Sequence, residues 1–407
     1  MLMVAKLRLI LFCIFVISTC DAKNTYSPTA VYLTWQRKPD TTMTVQWLTT
    51  LNENQDEIQY RRSGADKWNL DSAPVIKLPQ NVAYELHRIE LTHLKPNSLY
   101  EFRIGQNGKI FKFHTLPSHL NQSIKFVVGG DMYHGLKFLS HMEKICQESA
   151  SYDPLFALVG GDIAYSASSN KNKQEDFQRW LDWVKAWNKC MVRNDGALIP
   201  VVPAIGNHET NGRFEQSPEQ AKFFYAFFPM PGPKGYNVLD FGDYMSLFIL
   251  DSSHTHPIAG DQTNWLYSVL EERKDCPRKF ALYHVPAWPS VDTKTDHVSK
   301  AIRDNWVPCF EKFYLTTAFE NHCHTYKRSH PILGNAIDET GVLYIGDGAW
   351  GVSNTRTPKT PKEMWYIARS ASIRHFVLVT MEKNRTVYQG IDQWGRVFDE
   401  HVKNVGL

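Results

Sequence analysis

Two rhythms of apolar and polar positions divide the chain. Between residues 27 and 115, the short runs TAVYLTW, MTVQWLT, EIQYRR, YELHRIEL, LYEFRIG and IFKFHT are rich in β-branched and aromatic side chains. Most alternate apolar with polar positions, and Asn, Asp, Gly and Pro fill the gaps between them, which is the pattern of strands joined by turns. No helical period of useful length interrupts them. Six or seven such strands predict a small all-β sandwich over 27–115.

After a linker, LPSHLNQS (116–123), the rhythm changes. IKFVVGGD (124–131) is a continuous apolar run, as expected of a strand buried on both faces. LFALVGGD (155–162), LIPVVPAIGNH (198–208), YMSLFILDS (244–252), KFALYHVP (279–286), KFYLTTAFENH (312–322) and VLYIGDG (342–348) repeat it. Helices are predicted near 136–148 and 175–188; in the second, Phe177, Trp180, Leu181, Val184 and Trp187 share one face. Buried strands alternating with helices predict an α/β domain over 124–400.

Composition changes this picture little. The 407 residues are 43% apolar, 13% aromatic and 21% charged, ordinary for a globular chain of two domains. A formal charge of +3 implies no specific nucleic-acid partner. Residues 1–22 differ: Lys6 and Arg8 precede LILFCIFVISTC, and Cys20-Asp21-Ala22 supplies small-x-small. This reads as a secretory signal peptide, too short for a membrane span, and places the protein outside the cytoplasm, secreted or periplasmic. Lipid anchoring at Cys20 is a minor alternative. No later segment is apolar enough for a transmembrane span. The remaining cysteines, Cys146, Cys190, Cys276, Cys309 and Cys323, are loosely spaced and define no disulfide pattern.

The polar residues fall where chemistry is expected. Asp131, Asp162, Asn207, His208, His284 and His322 each stand at or just past the end of a predicted strand. In open α/β sheets that edge binds ligands. One Gly-Gly-Asp is a common turn; two of them, with G-N-H, a His after KFALY and an H-x-H, are not explained as turns. Carboxylates and a side-chain amide are hard ligands, and imidazoles suit iron, zinc or manganese. On a strand end His322 and His324 point to one side and Cys323 to the other, so the two histidines can join one cluster while serving different ions.

The blocks GGD (129–131), GGDIAY (160–165), GNHE (206–209), His284 of LYHVP and H-x-H-x-Y (322–326) resemble those of the calcineurin-like metallophosphoesterases. Within these the chain resembles the purple acid phosphatases, over essentially its whole mature length. Its β-rich segment is similar to the fibronectin type III-like domain that precedes many of them, including L-x-x-L-K-P-N-S-x-Y at 91–100. Many relatives carry Asp-x-His in the first block, where this chain has Tyr133; purple acid phosphatases supply a tyrosine from the second block instead, here Tyr165. The resemblance implies a metallophosphoesterase sandwich of mixed sheets with flanking helices. It implies Fe(III) bound by Asp131, Tyr165 and His324, with Asp162 bridging to a second site. There Asn207, His284 and His322 would hold Fe(II), Zn(II) or Mn(II). His208 would be the catalytic acid or transition-state partner and touch substrate, and Glu209 would support its loop. The implied reaction is acid phosphatase hydrolysis of small phosphate monoesters by in-line attack of a metal-activated hydroxide. The alternative is a phosphodiesterase or nucleotide phosphatase on the same centre. Both monomers and homodimers occur in the family.

Some positions depart from the family pattern. Asn321 stands where Gly is usual before H-x-H, and is expected to take the left-handed turn that Asn tolerates. Lys327-Arg328 replaces Glu-Arg. His297, in the segment after His284, is expected to face substrate. His134 is expected beside the cluster without being a ligand, Trp288 to pack at the core or rim, Asp347 to be structural, and His254 and His256 to lie on the surface.

Overall fold

In a computed structural model the described residues are 25–53, 55–167, 174–229, 235–291 and 295–405. The expected signal peptide, 1–22, and Cys20 within it lie outside them. Strands β1 (Ala30–Thr34), β2 (Met43–Thr50), β3 (Glu57–Arg62), β4 (Asn69–Ser72), β5 (Val75–Lys77), β6 (Tyr84–Leu91), β7 (Leu99–Ile104) and β8 (Phe111–His114) form two antiparallel sheets. Their orders are β1-β2-β6-β5 and β4-β3-β7-β8. Every run read as a strand is one. The short β4 and β5 were not legible, because they are mostly exposed and carry no apolar alternation. Val31, Leu33, Val45, Trp47, Phe102 and Ile104 fill the space between the sheets. The other face of β1 is also buried: Ala30 and Tyr32 pack on the second domain, which is why TAVYLTW does not alternate cleanly. Tyr32 Oη donates to the Phe227 carbonyl at 2.8 Å, and Trp35 sets its edge against Phe156 and Phe241.

The second domain contains β9 (Ile124–Gly129), β10 (Phe156–Gly160), β11 (Val201–Ala204), β12 (Asn237–Phe241), β13 (Met245–Ile249), β14 (Lys279–Leu282), β15 (Thr317–Glu320) and β16 (Tyr326–Ser329). A small hairpin, β17 (Ile332–Leu333) and β18 (Ala336–Ile337), precedes β19 (Leu343–Gly346), β20 (Ile367–Ala371), β21 (His375–Met381), β22 (Arg385–Asp392) and β23 (Val397–Asn404). The helices are α1 (Leu139–Ala150), α2 (Phe177–Cys190), α3 (Lys222–Phe227), α4 (Asp261–Glu272), α5 (Asp296–Asn305) and α6 (Val307–Lys312).

Two mixed sheets result, β11-β10-β9-β21-β22-β23 and β12-β13-β14-β15-β19-β16-β20. β9, β10 and β11 run parallel, as do β13, β14, β15 and β19. Period-2 alternation explains the continuous apolar runs. Phe126, Val128 and Leu158 of the first sheet face Leu247, Phe280 and Leu282 of the second, whereas Val127, Ala157 and Val159 turn outward to α1 and α2. Phe248, Ala281 and Tyr344 turn outward to α4–α6. One expectation needs correction. KFYLTTAFENH is not strand throughout: Lys312 closes α6 and the strand begins at Thr317. Phe310 and Phe313 belong to the buried helix side, and an apolar run does not by itself separate a helix end from a strand start.

Candidate metal centre

The parallel strands of both sheets deliver their ends to one place. Asp131 follows β9, Asp162 and Tyr165 follow β10, Asn207 and His208 follow β11, His284 follows β14, and His322 and His324 follow β15. Five of these residues are held in the left-handed backbone region: Asp131 (φ 58°), Asp162 (50°), Tyr165 (53°), His322 (75°) and His324 (59°). Each such turn costs a residue with a Cβ roughly 1–2 kcal/mol, and strain of this kind gathers at functional sites. Glycine permits the crowding. A Cβ on Gly348 would lie 1.8 Å from Oδ2 of Asp131, and one on Gly160 would lie 1.7 Å from Nδ2 of Asn321.

On one side, Nε2 of His324 is 3.0 Å from Oδ1 of Asp131, and Oη of Tyr165 is 3.2 Å from each. On the other, Nε2 of His284 is 3.0 Å from Oδ1 of Asn207, 3.2 Å from Nδ1 of His322 and 3.3 Å from Oδ2 of Asp162. The donor atoms of Asp131, Asp162 and His324 lie within 4.8 Å of one another, and so do those of Asp162, His284 and His322. Two three-donor groups share one carboxylate, which makes this a dinuclear metal-binding site of Asp and His residues.

The donors fit that use. Oδ1 of Asp162 accepts from the His208 amide at 2.8 Å, but its buried Oδ2 has no hydrogen-bond partner. An unpaired buried carboxylate oxygen is costly, and a cation relieves it. Nδ1–H of His284 donates to the Gly160 carbonyl at 2.8 Å, which turns Nε2 toward the cluster. Burial opposes charging His284, yet Asp162 and Asp131 outweigh it and raise the imidazole to about 9, the response expected of a site that attracts positive charge. Burial, together with Asp131 and Asp162, holds the Tyr165 phenol well above its ordinary range, so only a cation in the site would favour its phenolate.

Neighbouring groups hold the cluster in shape. His208 stacks on Tyr165 with ring centres 4.5 Å apart, and its Nε2 is 3.8 Å from Oδ2 of Asp162. Its side chain is 20% exposed against 0% for His284, so it is the more open to an arriving solute. Burial lowers its pKa. Glu209 accepts from the amides of Ile163 (2.8 Å), Ala164 (3.2 Å) and Gly206 (3.0 Å), which ties the second and third blocks together. His134 lies beside the cluster, its ring 4.3 Å from that of Tyr165 and its Nδ1 3.0 Å from Oγ of Ser353. Tyr133 turns away and donates to Asp182 on α2 at 2.8 Å.

Asn321 and His254 fall differently from expectation. Asn321 is not left-handed; the turn is made by His322, and the Asn321 amide packs on Gly130 and Gly160 while donating to the Tyr283 carbonyl at 3.0 Å. His254 is not a surface residue but fully buried, with its ring 5.5 Å from that of His284. An H-x-H pattern carries no signal for this, because a strand-end turn buries one histidine and leaves the other half-exposed. His297 is exposed on α5, and no hydrogen bond, ion pair or ring contact among the described residues joins it to the cluster. Trp288 packs against Tyr344, Trp365 and Tyr366. Lys327 is fully buried, paired with Glu320 and 3.4 Å from Asp347. Cys323 is buried and belongs to neither donor group.

Residues 28–115 match the family described as purple acid phosphatase, N-terminal domain, and residues 124–313 match calcineurin-like phosphoesterase. With the two matches in this order over a shared-carboxylate site, the observation is decisive. The chain belongs to the purple acid phosphatase family. Purple acid phosphatase 21 of Arabidopsis thaliana is 25% identical over 327 residues, covering 78% of this chain and 69% of that one. Phosphoenolpyruvate phosphatase of Allium cepa is 24% identical over 416 residues, covering 92% and 80%. Purple acid phosphatase PPD1 from yellow lupin (Lupinus luteus) seeds shares the fold, with a TM-score of 0.72 at 15% identity, over 91% of this chain and 73% of that one. The phosphoesterase match ends before His322 and His324, so the family assignment and the closing of the site by those residues are separate observations.

Proposed function

We propose that the protein is a phosphomonoesterase acting on small phosphate esters. The observation that carries this is the sharing of Asp162 between two donor groups. Asp131, Tyr165 and His324 would hold a ferric ion, and Asn207, His284 and His322 a divalent ion, Fe(II), Zn(II) or Mn(II). Such a pair, when bound, clamps a phosphate, activates water and stabilises the attacking and leaving oxygens. The chain's own residues do the rest. His208 presents Nε2 beside Asp162 and, as the open histidine, gives a proton to the leaving oxygen or binds the phosphate oxygens. Glu209 keeps the His208 turn in register with the Asp162 turn. The preceding sandwich, 27–115, positions the catalytic domain, 124–400, and takes no part in the chemistry. A basic, apolar leader makes the protein an exported one. Among the described residues no helix is long and apolar enough to cross a membrane.

Relative turnover of p-nitrophenyl phosphate and bis-p-nitrophenyl phosphate tests the proposal. The monoester should be hydrolysed at least about tenfold faster in kcat/KM; equal rates, or a faster diester, would make the protein a phosphodiesterase on the same centre.

A further inference from the structure

A cleft of about 250 Å³ opens beside His208, lined also by Asn207, Thr210, Asn211, Gly212 and Arg213, and, among the described residues, by no carboxylate. Its lining includes one cation, Arg213. Arg213 is exposed, and among the described residues no acidic side chain pairs with its guanidinium.

The mounting of Arg213 sets it apart from an ordinary surface arginine. Its backbone is left-handed, φ 74°, a conformation that persists in a residue with a Cβ only where the surroundings impose it. Here two hydrogen bonds impose it. The Arg213 carbonyl accepts from Oγ1 of Thr210 at 2.8 Å and from Nδ1–H of His254 at 3.2 Å. His254 is fixed in turn. The Asp251 carboxylate accepts from the amides of His254, Thr255 and His256 at 2.6, 2.8 and 3.0 Å. Nε2 of His254 lies 3.0 Å from Oγ of Ser252, which accepts from the Val285 amide at 3.0 Å. A continuous hydrogen-bonded chain therefore runs from the turn beside His284 to the backbone of Arg213. Asn211 also lines the cleft, but its Oδ1 is buried beneath the surface.

We propose that this cleft is the leaving-group subsite, and that it selects esters whose leaving alcohol carries a carboxylate, for Arg213. Phosphorylated hydroxy acids and hydroxy amino acids have this chemistry. A cleft of 250 Å³, below the roughly 300 Å³ at which pockets for drug-sized ligands begin, favours a compact leaving group. The inference rests on the phosphomonoesterase proposal above.

Two matched pairs test it. 3-Phosphoglycerate differs from glycerol 3-phosphate by a carboxylate in place of a neutral alcohol, and O-phosphoserine differs from O-phosphoethanolamine by its carboxylate. The carboxylated member should be preferred about fivefold in kcat/KM, the size expected for a partly solvated charge pair. The ratio should fall to near one in Arg213→Met and persist in Arg213→Lys; as a ratio within one enzyme, it does not depend on how much of a variant folds. Preference in one pair alone supports the proposal for that class of ester, hydroxy acid or hydroxy amino acid. A ratio near one in the natural protein, or a ratio unchanged in Arg213→Met, overturns it. If p-nitrophenyl phosphate and all four esters resist hydrolysis, the phosphomonoesterase proposal fails. The subsite is then judged by calorimetric binding of 3-phosphoglycerate against glycerol 3-phosphate, with the same ratio expected and its absence decisive.

Discussion

At the scale of single residues, the centre depends on where unpaired donor atoms are left. The Gly160 carbonyl takes one nitrogen of His284 and frees the other, and the His208 amide takes one oxygen of Asp162 and frees the other. If the ion beside Asp131, Tyr165 and His324 is ferric, as proposed, a Tyr165 phenolate on it would absorb visible light. Protein purified without chelator from an iron-supplied host should be purple or pink, and Tyr165→Phe should lose that band. A colourless, active natural protein, or a band that survives the substitution, would contradict the ferric assignment. Much of this was legible in the sequence, since Asp, Asn and His at successive strand ends are readable as a set. The roles of Asn321 and His254 were not. A single letter says which conformations a residue tolerates, not which neighbour in the turn adopts them, and no local pattern reports that a histidine will be buried by a loop 41 residues away.

At the scale of elements, the turns after β14, β15 and β19 are locked by a buried network. Lys327 on β16 pairs with Glu320 at the end of β15, lies 3.4 Å from Asp347 after β19, and donates to the Trp288 carbonyl at 2.7 Å. Glu320 also accepts from Oη of Tyr283 at 2.7 Å and from the Ala287 amide at 2.6 Å. Removing the cation of such a network strands two buried carboxylates, at a cost of about 3–5 kcal/mol. Lys327→Met should therefore lower stability by roughly that amount in urea unfolding; a loss under about 1 kcal/mol would mean that the carboxylates find other partners. The sheets and α2 were readable because their apolar periods are strong. This network was not, because a Lys in a strand reads as a solvated position until its partners at the ends of two other strands are known.

At the scale of the whole molecule, the sandwich is docked on the catalytic domain around the start of α2 and α3. Gln80 donates to the Glu175 carbonyl at 2.8 Å, and the Glu175 carboxylate accepts from the Phe223 amide at 3.2 Å. Burial pushes the Glu175 carboxyl from its ordinary 4.5 up to about 8. The folded state therefore holds more protons than the unfolded state between these values, and stability contributed by this group is lost as pH rises through them. Glu175→Gln keeps the acceptor and removes the titration. Its stability relative to the natural protein should rise between pH 5 and pH 8, by on the order of a few kcal/mol. Parallel stability curves for the two proteins would contradict the burial of a protonated carboxyl at this junction.

Both sheets and the strained turns converge on Asp162 as the carboxylate common to two metal sites. Metal content per chain, determined by mass spectrometry on protein purified without chelator, tests that most directly. Two ions per chain are expected in the natural protein and fewer than two in Asp162→Asn. One ion or none in the natural protein, or two retained in the variant, would contradict a dinuclear centre bridged by Asp162.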